Sequence, residues 1–473
     1  MSSENSRMNG IGPRNSSFVS GRYNKFIESH LRTTLPDHSD LAVSPMMSGL
    51  RRGPSTQREY KCLEGKRVGI AVLSAYPFDP RPRRTADALV RQGMIVDYIC
   101  VSDGKGPAHE KTNGINVFRV PINHQRGGKL GYAYQYSAFI LASTAILAAR
   151  SLRRLYDLIY INNMPDILVL SALLPRMFGA KIILDLHDPM PELMMTIFGK
   201  DPGSKSVQML KCFEKWSAAR ADQVLVPNAA CLRLLAARSC PEEKIAVMMN
   251  SPDESIFPLR PAHTRLAPNP MSTRPIIVMY HGTLVERNGL DVAVEALERL
   301  HKKLPTAQLH IYGKATPFLE KVMQSARQNG LQQNVLHFGE KPLEQIVAAI
   351  DACDVGVIPN RSNAFTSINT PTRIFEYLAR GKSVIAPRTA GIQDYFDENS
   401  LLFFEAGNAD ELAEKIEFVA SHPGETLTIT ARGQEVYKKH AWKQEEQELV
   451  RLLGRLLNPE KCNDTRSVAI LSP

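Results

Sequence analysis

The sequence predicts an α/β fold of two doubly wound parallel-sheet domains that face a cleft. Apolar runs of strand length recur along the chain, segments of helical periodicity separate them, and this alternation stops and restarts once. The break falls at residues 251–274, which are rich in Pro and Arg and have no periodicity. With 473 residues, the chain is long enough for two such domains and for terminal extensions.

The same pattern predicts where each segment begins and ends. Residues 1–64 are rich in Ser, Arg, Asn and Pro and lack the apolar segment of a signal peptide, so we expect a disordered tail. The other expected segments are a first domain at 65–250, a linker at 251–274, a second domain at 275–440, a final helix at 441–458 and a loose tail at 459–473.

The composition limits the class of protein. Hydrophobic residues make up 43% and charged residues 22%, as in a globular protein. Seven cysteines without a Cys-x-x-Cys pair argue against a disulfide framework or a zinc knuckle and favour a reducing compartment, so we expect a cytoplasmic location. The formal charge of +10 favours anionic partners, but no basic run is interleaved with aromatic residues, so we expect no nucleic acid.

In the first domain, each predicted strand is an apolar run of the kind that is buried on both faces of a parallel sheet. Strands that alternate with helices at this spacing are typical of right-handed parallel units. We predict strands at residues 66–74, 95–101, 115–120, 157–162, 181–186, 223–227 and 245–250. We predict helices at residues 85–93, 132–149, 167–178 and 205–221, and a further helix before the last strand.

The helix at residues 132–149 is the most apolar part of the chain, and its length approaches that of a membrane span. Arg150, Arg153 and Arg154 follow it as a cytoplasmic flank would. Polar residues dilute it, however, and the next strand follows at once, so we interpret it as a buried or interfacial helix. If its end meets a bilayer, Lys129 and the three arginines supply the electrostatic attraction.

The loop after the first strand, at residues 75–84, carries prolines and three arginines. It is either a rigid surface loop or a site where Arg81, Arg83 or Arg84 meets an anionic acceptor or a phosphate. The sequence favours neither interpretation over the other.

The strand at residues 181–186 runs directly into His187, Asp188, a Pro-Met-Pro segment and Glu192. Ligands of open α/β sheets bind at the carboxyl ends of the strands. A lone His is usually structural, but a His-Asp-Pro sequence at this point indicates a site in the cleft.

The second domain repeats the alternation. Its predicted strands lie at residues 275–281, 308–313, 335–339, 355–358, 383–386 and 401–404. Its predicted helices lie at residues 290–303, 318–329, 343–351 and 409–420, with a short helix after Pro371. A final helix at residues 442–457 has leucines on one face.

Two segments of this domain carry candidate ligand groups. A strand that ends in His-Gly leads into residues 282–289, where Gly lets the backbone approach a phosphate and Arg287 can neutralise its charge. In the helix after Pro371, Glu376 lies next to the apolar stripe of the helix. Its carboxylate is either solvated or turned toward a polar ligand such as a ribose diol.

Three motifs resemble those of family-4 glycosyltransferases. The family motif P-(S/T)-(K/R)-I-x-E-Y-x-A-x-G-K-x-V-I-A falls on the helix after Pro371 and the strand that follows it. It matches at Pro371, Thr372, Arg373, Glu376, Tyr377, Gly381, Lys382, Val384 and Ala386. The motif D-x-H-D-x-x-P-E matches at Asp185, His187, Asp188, Pro191 and Glu192, and H-G-T-L-x-x-x-x-G-L-D matches at residues 281–291. The resemblance implies a GT-B fold of two Rossmann-like domains, with the final helix packing back on the first domain.

The resemblance also implies roles for the site residues. It makes His187 and Asp188 the catalytic residues of the cleft. It assigns binding of a nucleotide-sugar donor to Gly282, Thr283, Arg287, Arg373 and Glu376. The candidate acceptor-binding residues are Arg81, Arg84 and Glu192. The implied reaction is transfer of a hexose, with retention of anomeric configuration, to a glycan or lipid-linked acceptor in surface-polysaccharide biosynthesis.

We expect the reaction to need no metal ion and no cofactor. The chain contains no Asp-x-Asp, the spacing with which transferases of another fold bind Mn²⁺. Arg287, Arg373 and a helix N-terminus then stabilise the leaving diphosphate, which predicts activity that EDTA does not inhibit. Many family members carry an acid where this chain has Ile368, and we expect backbone N–H groups of residues 366–370 to replace it.

Two alternatives to a transferase stay open at this point. A nucleotide-sugar 2-epimerase-like enzyme on the same fold usually needs several acidic and His groups, whereas this cleft offers chiefly His187, Asp188 and Glu192. A noncatalytic partner or scaffold subunit is kept open by the missing acid and by the arginine-rich first loop. A lipid-linked acceptor would make the chain a peripheral protein at the inner face of the plasma membrane.

Overall fold

The computed structural model describes residues 63–122, 129–264 and 274–458, which form two α/β domains, each built on its own sheet. The expected terminal tails lie outside the described residues, apart from residues 63 and 64. Part of the expected linker, residues 265–273, lies outside them as well.

The first domain is built on an eight-stranded sheet in the order β3-β4-β2-β1-β5-β6-β7-β8. Its strands are β1 (Arg67–Ala75), β2 (Ile95–Val101), β3 (His109–Thr112), β4 (Ile115–Val120), β5 (Leu158–Asn162), β6 (Lys181–Asp185), β7 (Gln223–Val226) and β8 (Ile245–Val247). All neighbours are parallel except β3 and β4, which pair antiparallel at one edge. The seven parallel strands confirm the predicted ones, whereas β3 was not predicted.

Both faces of this sheet are covered, as the uniformly apolar strands require. Ile159 and Ile161 of β5 face one core, and Leu158 and Tyr160 face the other. The helices are α1 (Pro80–Arg91), α2 (Lys129–Arg153), α3 (Leu173–Met177), α4 (Met190–Phe198), α5 (Lys205–Arg220) and α6 (Ala229–Arg238), with 3₁₀ turns at Asp166–Ala172 and Glu242–Lys244. The predicted doubly wound α/β class is confirmed.

Helix α1 begins at Pro80, whereas the prediction placed its start at residue 85. Asp79 caps the helix, since its Oδ1 accepts a hydrogen bond of 3.4 Å from the Arg81 N–H, and Pro80 occupies the first helical position. The arginines of the predicted loop therefore lie in the first turns of a helix.

The second domain is built on a six-stranded parallel sheet in the order β11-β10-β9-β12-β13-β14. Its strands are β9 (Ile277–His281), β10 (Gln308–Tyr312), β11 (Val335–His337), β12 (Val355–Val357), β13 (Ser383–Pro387) and β14 (Leu402–Phe404). Its helices are α7 (Leu290–Leu300), α8 (Pro317–Gln328), α9 (Leu343–Ala352), α10 (Thr372–Ala379), α11 (Ala390–Gln393), α12 (Ala409–Ser421) and α13 (Pro423–Lys439), with a 3₁₀ turn at Glu286–Asn288. Every predicted strand is present, and α13 was not predicted.

The last helix, α14 (Trp442–Leu457), returns to the first domain. Its Leu449 and Leu453 are fully buried in the core formed by β1, β2 and β5. The Met249 N–H donates a 2.8 Å hydrogen bond to the Glu445 carboxylate, which fixes the start of α14 beside the exit from β8. The chain thus crosses between the two domains twice.

Helix α2 is longer than the predicted helix and is buried on one side only. Phe139 and Leu147 belong to the core of the first domain, whereas Leu141 on the opposite side is 71% exposed. Within residues 63–122, 129–264 and 274–458, no helix is long and apolar enough to cross a membrane.

Candidate active site

The end of β9 and helix α10 meet at the carboxyl edge of the second sheet. His281 Nε2 lies 2.5 Å from Glu376 Oε2, and His281 Nδ1 lies 2.9 Å from the Tyr377 hydroxyl. That hydroxyl in turn lies 2.9 Å from the Met279 carbonyl oxygen. An ionised Glu376 accepts only, so His281 donates its Nε2–H to it. The imidazole is held on both nitrogens and therefore fixes the direction of the Glu376 carboxylate.

Arg373 lies across the end of β9. Its Nη1 donates a 2.8 Å hydrogen bond to the His281 carbonyl oxygen, and its guanidinium lies 4.6 Å from the centre of the Tyr280 ring. A side chain at Gly282 would have its Cβ 3.4 Å from this guanidinium, and Gly282 adopts a φ of +125°. That distance is an ordinary van der Waals contact, so the positive φ, rather than the space beside Arg373, favours glycine at this position.

Hydrogen bonds and a close backbone contact fix the loop at residues 282–289. The Thr283 carbonyl oxygen accepts from the Tyr280 hydroxyl at 2.9 Å and from Asn288 Nδ2 at 2.7 Å. Gly289 has a φ of +65°, and a Cβ there would lie 1.8 Å from the Pro359 carbonyl oxygen. Arg287 is half-buried on the 3₁₀ turn of this loop. All five predicted donor-binding residues thus lie around the end of β9.

The predicted catalytic pair follows β6 at the carboxyl edge of the first sheet. His187 is half-buried, and its Nδ1 lies 3.9 Å from Asp185 Oδ1, which is too long for a hydrogen bond. The backbone of Asp188 is held by Asn163 at the end of β5, whose Nδ2 donates to the Asp188 carbonyl oxygen at 2.5 Å. Asn163, which sequence reasoning missed, positions this loop; its only sequence signal is an amide at a strand end.

Arg81 lies inside the first domain. It is 4% exposed, and its Nε and Nη2 donate to the two oxygens of Asp185 at 2.9 and 2.8 Å, while Nη1 donates to the Met248 carbonyl oxygen at 3.0 Å. Burial raises the pKa of Asp185, but the Arg81 charge and hydrogen bonds outweigh it and the net pKa is lowered. Contact with an acceptor would require this ion pair to open, so the structure assigns Arg81 to the support of the His187 loop.

Glu192 is likewise engaged in a buried ion pair. It is 5% exposed, and its carboxylate accepts from the two Nη groups of Arg238 at 2.6 and 2.9 Å. Arg238 also pairs with the buried Glu214. Glu192 matches the family motif, but in the structure it joins α4 to α6 through Arg238, which also joins α5 through Glu214.

Arg84 lies where the two domains join. It is 4% exposed, its Nη2 donates a 2.8 Å hydrogen bond to Asn250 Oδ1, and its guanidinium lies 5.1 Å from the centre of the Trp442 ring. Burial, reinforced by the neighbouring Arg81 charge, lowers the pKa of Arg84 to about 10, and the charges of Asp253 and, more weakly, Glu376 act on it in the opposite direction. The hydrogen-bond partner of this buried cation is a neutral amide, so the site still favours an anion nearby. The contact of Arg84 with an anionic ligand stays a prediction.

The loop between β12 and α10 is tied to the first domain. Asn228, at the start of α6, donates through Nδ2 to the Ile368 carbonyl oxygen at 2.8 Å and to Thr370 Oγ1 at 3.1 Å. Thr196 on α4 donates to Asn363 Oδ1 at 2.9 Å. Sequence reasoning missed both contacts, because their partners belong to different domains.

The expected role of the backbone N–H groups of residues 366–370 is wrong for the first three of them. The N–H groups of Thr366, Ser367 and Ile368 donate to Asn363 Oδ1, the Asn363 carbonyl and the Phe365 carbonyl, respectively. These three donors shape the loop itself and do not point to a ligand. The side chain of Ile368 packs against the core of the first domain instead.

Two family models match the chain over adjoining regions. The model described as glycosyl transferases group 1 matches residues 265–436, which contain the β9–α10 group, and the glycosyl transferase 4-like domain matches residues 79–251, which contain His187 and Asp188. A comparison with curated proteins gave no match.

Several solved structures share the fold. Sucrose-phosphate synthase from Thermosynechococcus elongatus has a TM-score of 0.67 at 18% identity, covering 83% of this chain and 99% of that chain. A glycosyltransferase from Rickettsia africae has a TM-score of 0.63 at 16% identity, with 83% and 99% covered. Anabaena HepE in complex with UDP-glucose has a TM-score of 0.61 at 16% identity, with 82% and 99% covered.

Two parallel sheets whose carboxyl-end loops contact each other through Asn228 and Ile368, together with these matches, define a glycosyltransferase of the GT-B fold. The chain belongs to the group 1 glycosyltransferases, and the resemblance to family 4 that the motifs indicated is confirmed.

Proposed function

We propose that the chain transfers a hexose, with retention of anomeric configuration, from a nucleotide-sugar donor to a glycan or lipid-linked acceptor in surface-polysaccharide biosynthesis. The contact between Glu376 and His281 carries the donor part of this proposal. One carboxylate oxygen is held at 2.5 Å, and the Glu376 side chain is still 16% exposed at the edge of the sheet. A carboxylate fixed in this way is suited to accept hydrogen bonds from the two hydroxyls of a ribose.

Fixed cations support the proposal that the leaving diphosphate needs no metal ion. Negative charge develops on the diphosphate as the anomeric bond breaks, and positive groups that are already oriented stabilise it most effectively. Arg373 is oriented by the His281 carbonyl and the Tyr280 ring, and Arg287 lies on the 3₁₀ turn of the adjoining loop.

His187 is proposed to contact the donor sugar. Its Nδ1 is buried beside Asp185, but 17% of the His187 side chain is exposed, so the exposed part of the ring is what can meet the donor sugar. Asp188 follows it in a loop whose backbone Asn163 holds in place. We place the acceptor against the first domain, on the cytoplasmic side of a membrane, because the chain carries a net charge of +10 and α2 has an exposed apolar side.

The proposal is tested by measuring thermal shifts with UDP-, GDP- and dTDP-sugars, with and without EDTA. We expect one nucleotide to stabilise the wild type, an EDTA-insensitive shift, and no shift for Glu376→Ala. The control is Glu414→Ala, an exposed glutamate on α12 of the same domain, which should respond as the wild type does.

The outcomes separate the alternatives. No shift of the wild type with any nucleotide sugar would contradict donor binding and favour a noncatalytic subunit. A shift followed by release of the C2 epimer of the sugar, without transfer to an acceptor, would favour an epimerase. Loss of turnover on chelation would contradict metal independence alone.

A further inference from the structure

Helix α2 presents an uncharged face to solvent. Tyr134, Leu141, Ala145, Ala149 and Leu152 are all exposed and fall within about a third of the helix circumference. Leu152 is 81% exposed. The outer face of a helix in a soluble domain normally carries charged and polar residues, but residues 131–149 contain no charge. This face is therefore built to meet something other than water.

The apolar surface continues beyond the end of α2. Helix α3 packs against α2, and Met177 at its end is 81% exposed. Phe178 and Leu155 are about half exposed and line one shallow cavity of about 310 Å³. We call the surface formed by Tyr134, Leu141, Leu152, Leu155, Met177 and Phe178 the apolar face.

Basic residues border the apolar face at the end of α2. Arg153 and Arg154 are exposed, and Lys66 and Lys181 line the same cavity as Leu155 and Phe178. Two acidic residues lie at this border, and both are paired. Asp157 lies 3.3 Å from Lys66, and Asp222 lies 3.1 Å from Arg176. The border therefore keeps a net positive charge.

We propose that the apolar face and its basic border dock on a bilayer that contains anionic phospholipids. The stripe from Tyr134 to Leu152 is about 27 Å long at 1.5 Å per residue, which suits a helix lying in the plane of the interface. Arginine and lysine at one end add attraction to anionic headgroups. A second copy of the chain fits less well, because α2 and the residue after it, residues 129–154, contain no acidic residue that could pair with the basic border.

The fold relates this surface to the cleft. A helix in a parallel α/β unit runs antiparallel to the strands, so α2 starts near the carboxyl edge of the sheet, where His187 follows β6. A docked α2 would place that edge of the first domain beside the lipid headgroups. The purpose of docking rests on the proposed lipid-linked acceptor, but docking can be measured without transferase activity.

The test is co-sedimentation of the full chain with vesicles of phosphatidylcholine alone and of phosphatidylcholine mixed with phosphatidylglycerol. We expect binding to the anionic vesicles only, weakened by salt. Leu152→Ser/Met177→Ser and Arg153→Gln/Arg154→Gln should each lower the vesicle affinity roughly tenfold. Matched controls away from the apolar face are Leu259→Ser/Leu343→Ser, which alters exposed leucines of the linker and the second domain, and Lys302→Gln/Lys341→Gln, which alters exposed lysines of the second domain.

Three results would overturn the proposal: no binding of the wild type to either vesicle, equal binding by the variants and the wild type, or a dimer by light scattering that the apolar variant dissociates. The nucleotide-sugar thermal shift is measured on the same proteins and should not change. Vesicle binding without any such shift would remove the transferase proposal and leave docking standing, and the reverse pattern would remove docking alone.

Discussion

The imidazole of His281, at the end of β9, fixes the carboxylate of Glu376 on α10 through a contact of 2.5 Å. The two residues are 95 positions apart in the sequence, and only the closure of the second sheet brings them together. The carboxylate is therefore oriented before any donor arrives, which lowers the entropic cost of binding a ribose.

We expect His281 to act on donor binding through Glu376. His281→Leu, which keeps the volume of the buried side chain, should weaken nucleotide-sugar binding roughly tenfold because the carboxylate loses one hydrogen bond and its orientation. Glu376→Ala should weaken it further, and adding His281→Leu to that variant should change nothing more. Titration calorimetry on the double-mutant cycle measures this, and additive effects would show that His281 contacts the donor independently.

The buried Arg81–Asp185 pair should dominate the stability of the first domain. Arg81→Met leaves Asp185 ionised and unpaired in the core, so we expect the free energy of unfolding to fall by about 3–5 kcal/mol. The matched control is Lys303→Met, which breaks an exposed pair with Glu417 and should cost less than about 1 kcal/mol. Urea unfolding measures both, and a stable but inactive Arg81→Met protein would instead support an acceptor-binding role.

A buried carboxyl in the first domain should make stability depend on pH. Burial, reinforced by the Glu214 charge, raises the pKa of Asp166 to about 7, whereas an unfolded Asp has a pKa of about 3.9. The folded state holds the proton more tightly, so this group lowers stability as pH rises from about 4 to 7 and no further above that range.

Asp166→Asn keeps the 3.0 Å hydrogen bond from Asn163 and removes the titration. We expect the variant to be more stable than the wild type at pH 8 by roughly 4 kcal/mol, and the difference to vanish toward pH 4. Urea unfolding at several pH values tests this. The exposed Asp201→Asn serves as a control, and an equal effect there would contradict the assignment.

Gly289 should tolerate no side chain. A Cβ there would lie 1.8 Å from the Pro359 carbonyl oxygen, so Gly289→Ala must displace the loop that carries Arg287. We expect the variant to lose more than about 2 kcal/mol of stability and to lose the thermal shift with the donor as well. Gly330 is a control with a similar φ of +76° and open space around it, so Gly330→Ala should cost only about 1 kcal/mol. If thermal unfolding shows equal losses of stability for the two variants, the positive φ alone accounts for the loss at Gly289.

Asn228 should have two separable roles. Its Oδ1 caps α6 by accepting from the Cys231 N–H at 2.8 Å, and its Nδ2 holds the loop at Ile368 and Thr370. Asn228→Ser keeps a capping oxygen but loses the loop contacts, whereas Asn228→Ala loses both. We expect both variants to lower kcat/KM roughly tenfold and only Asn228→Ala to lose about 1 kcal/mol of stability. Unchanged kcat/KM in Asn228→Ser would show that the loop contacts do not serve turnover.

The parallel strands could be predicted because burial on both faces leaves an unbroken apolar run. The exposed edge strand β3, His-Glu-Lys-Thr, has no such run and was missed. Helix α13 was missed because it buries Thr430 and Gln434, whose side chains bond to Ser383 at 2.7 Å and to the Leu378 carbonyl oxygen at 2.7 Å. A helix that packs through hydrogen bonds has little apolar periodicity to read.

The site could be predicted where its parts are local in sequence. The loop after β9 and the α10 motif each signal their role within a few residues, and the structure brings them together. The sequence around Arg81 and Glu192 does not show whether their partner is a ligand or a buried side chain. Their partners are Asp185 and Arg238, respectively, which belong to other elements of the fold. Contacts across the cleft, such as Asn228 with Ile368, span 140 positions and leave no local pattern.

The return of α14 to the first domain reverses the order in which the domains are completed during translation. The ribosome releases β1, β2 and β5 early, but their shared core stays open until Leu449, Val450 and Leu453 emerge at the end of synthesis. The nascent first domain therefore exposes apolar surface for as long as the second domain is being made. A chain that terminates prematurely within the second domain leaves that surface uncovered, and chaperones or proteases are the expected recipients of such a product.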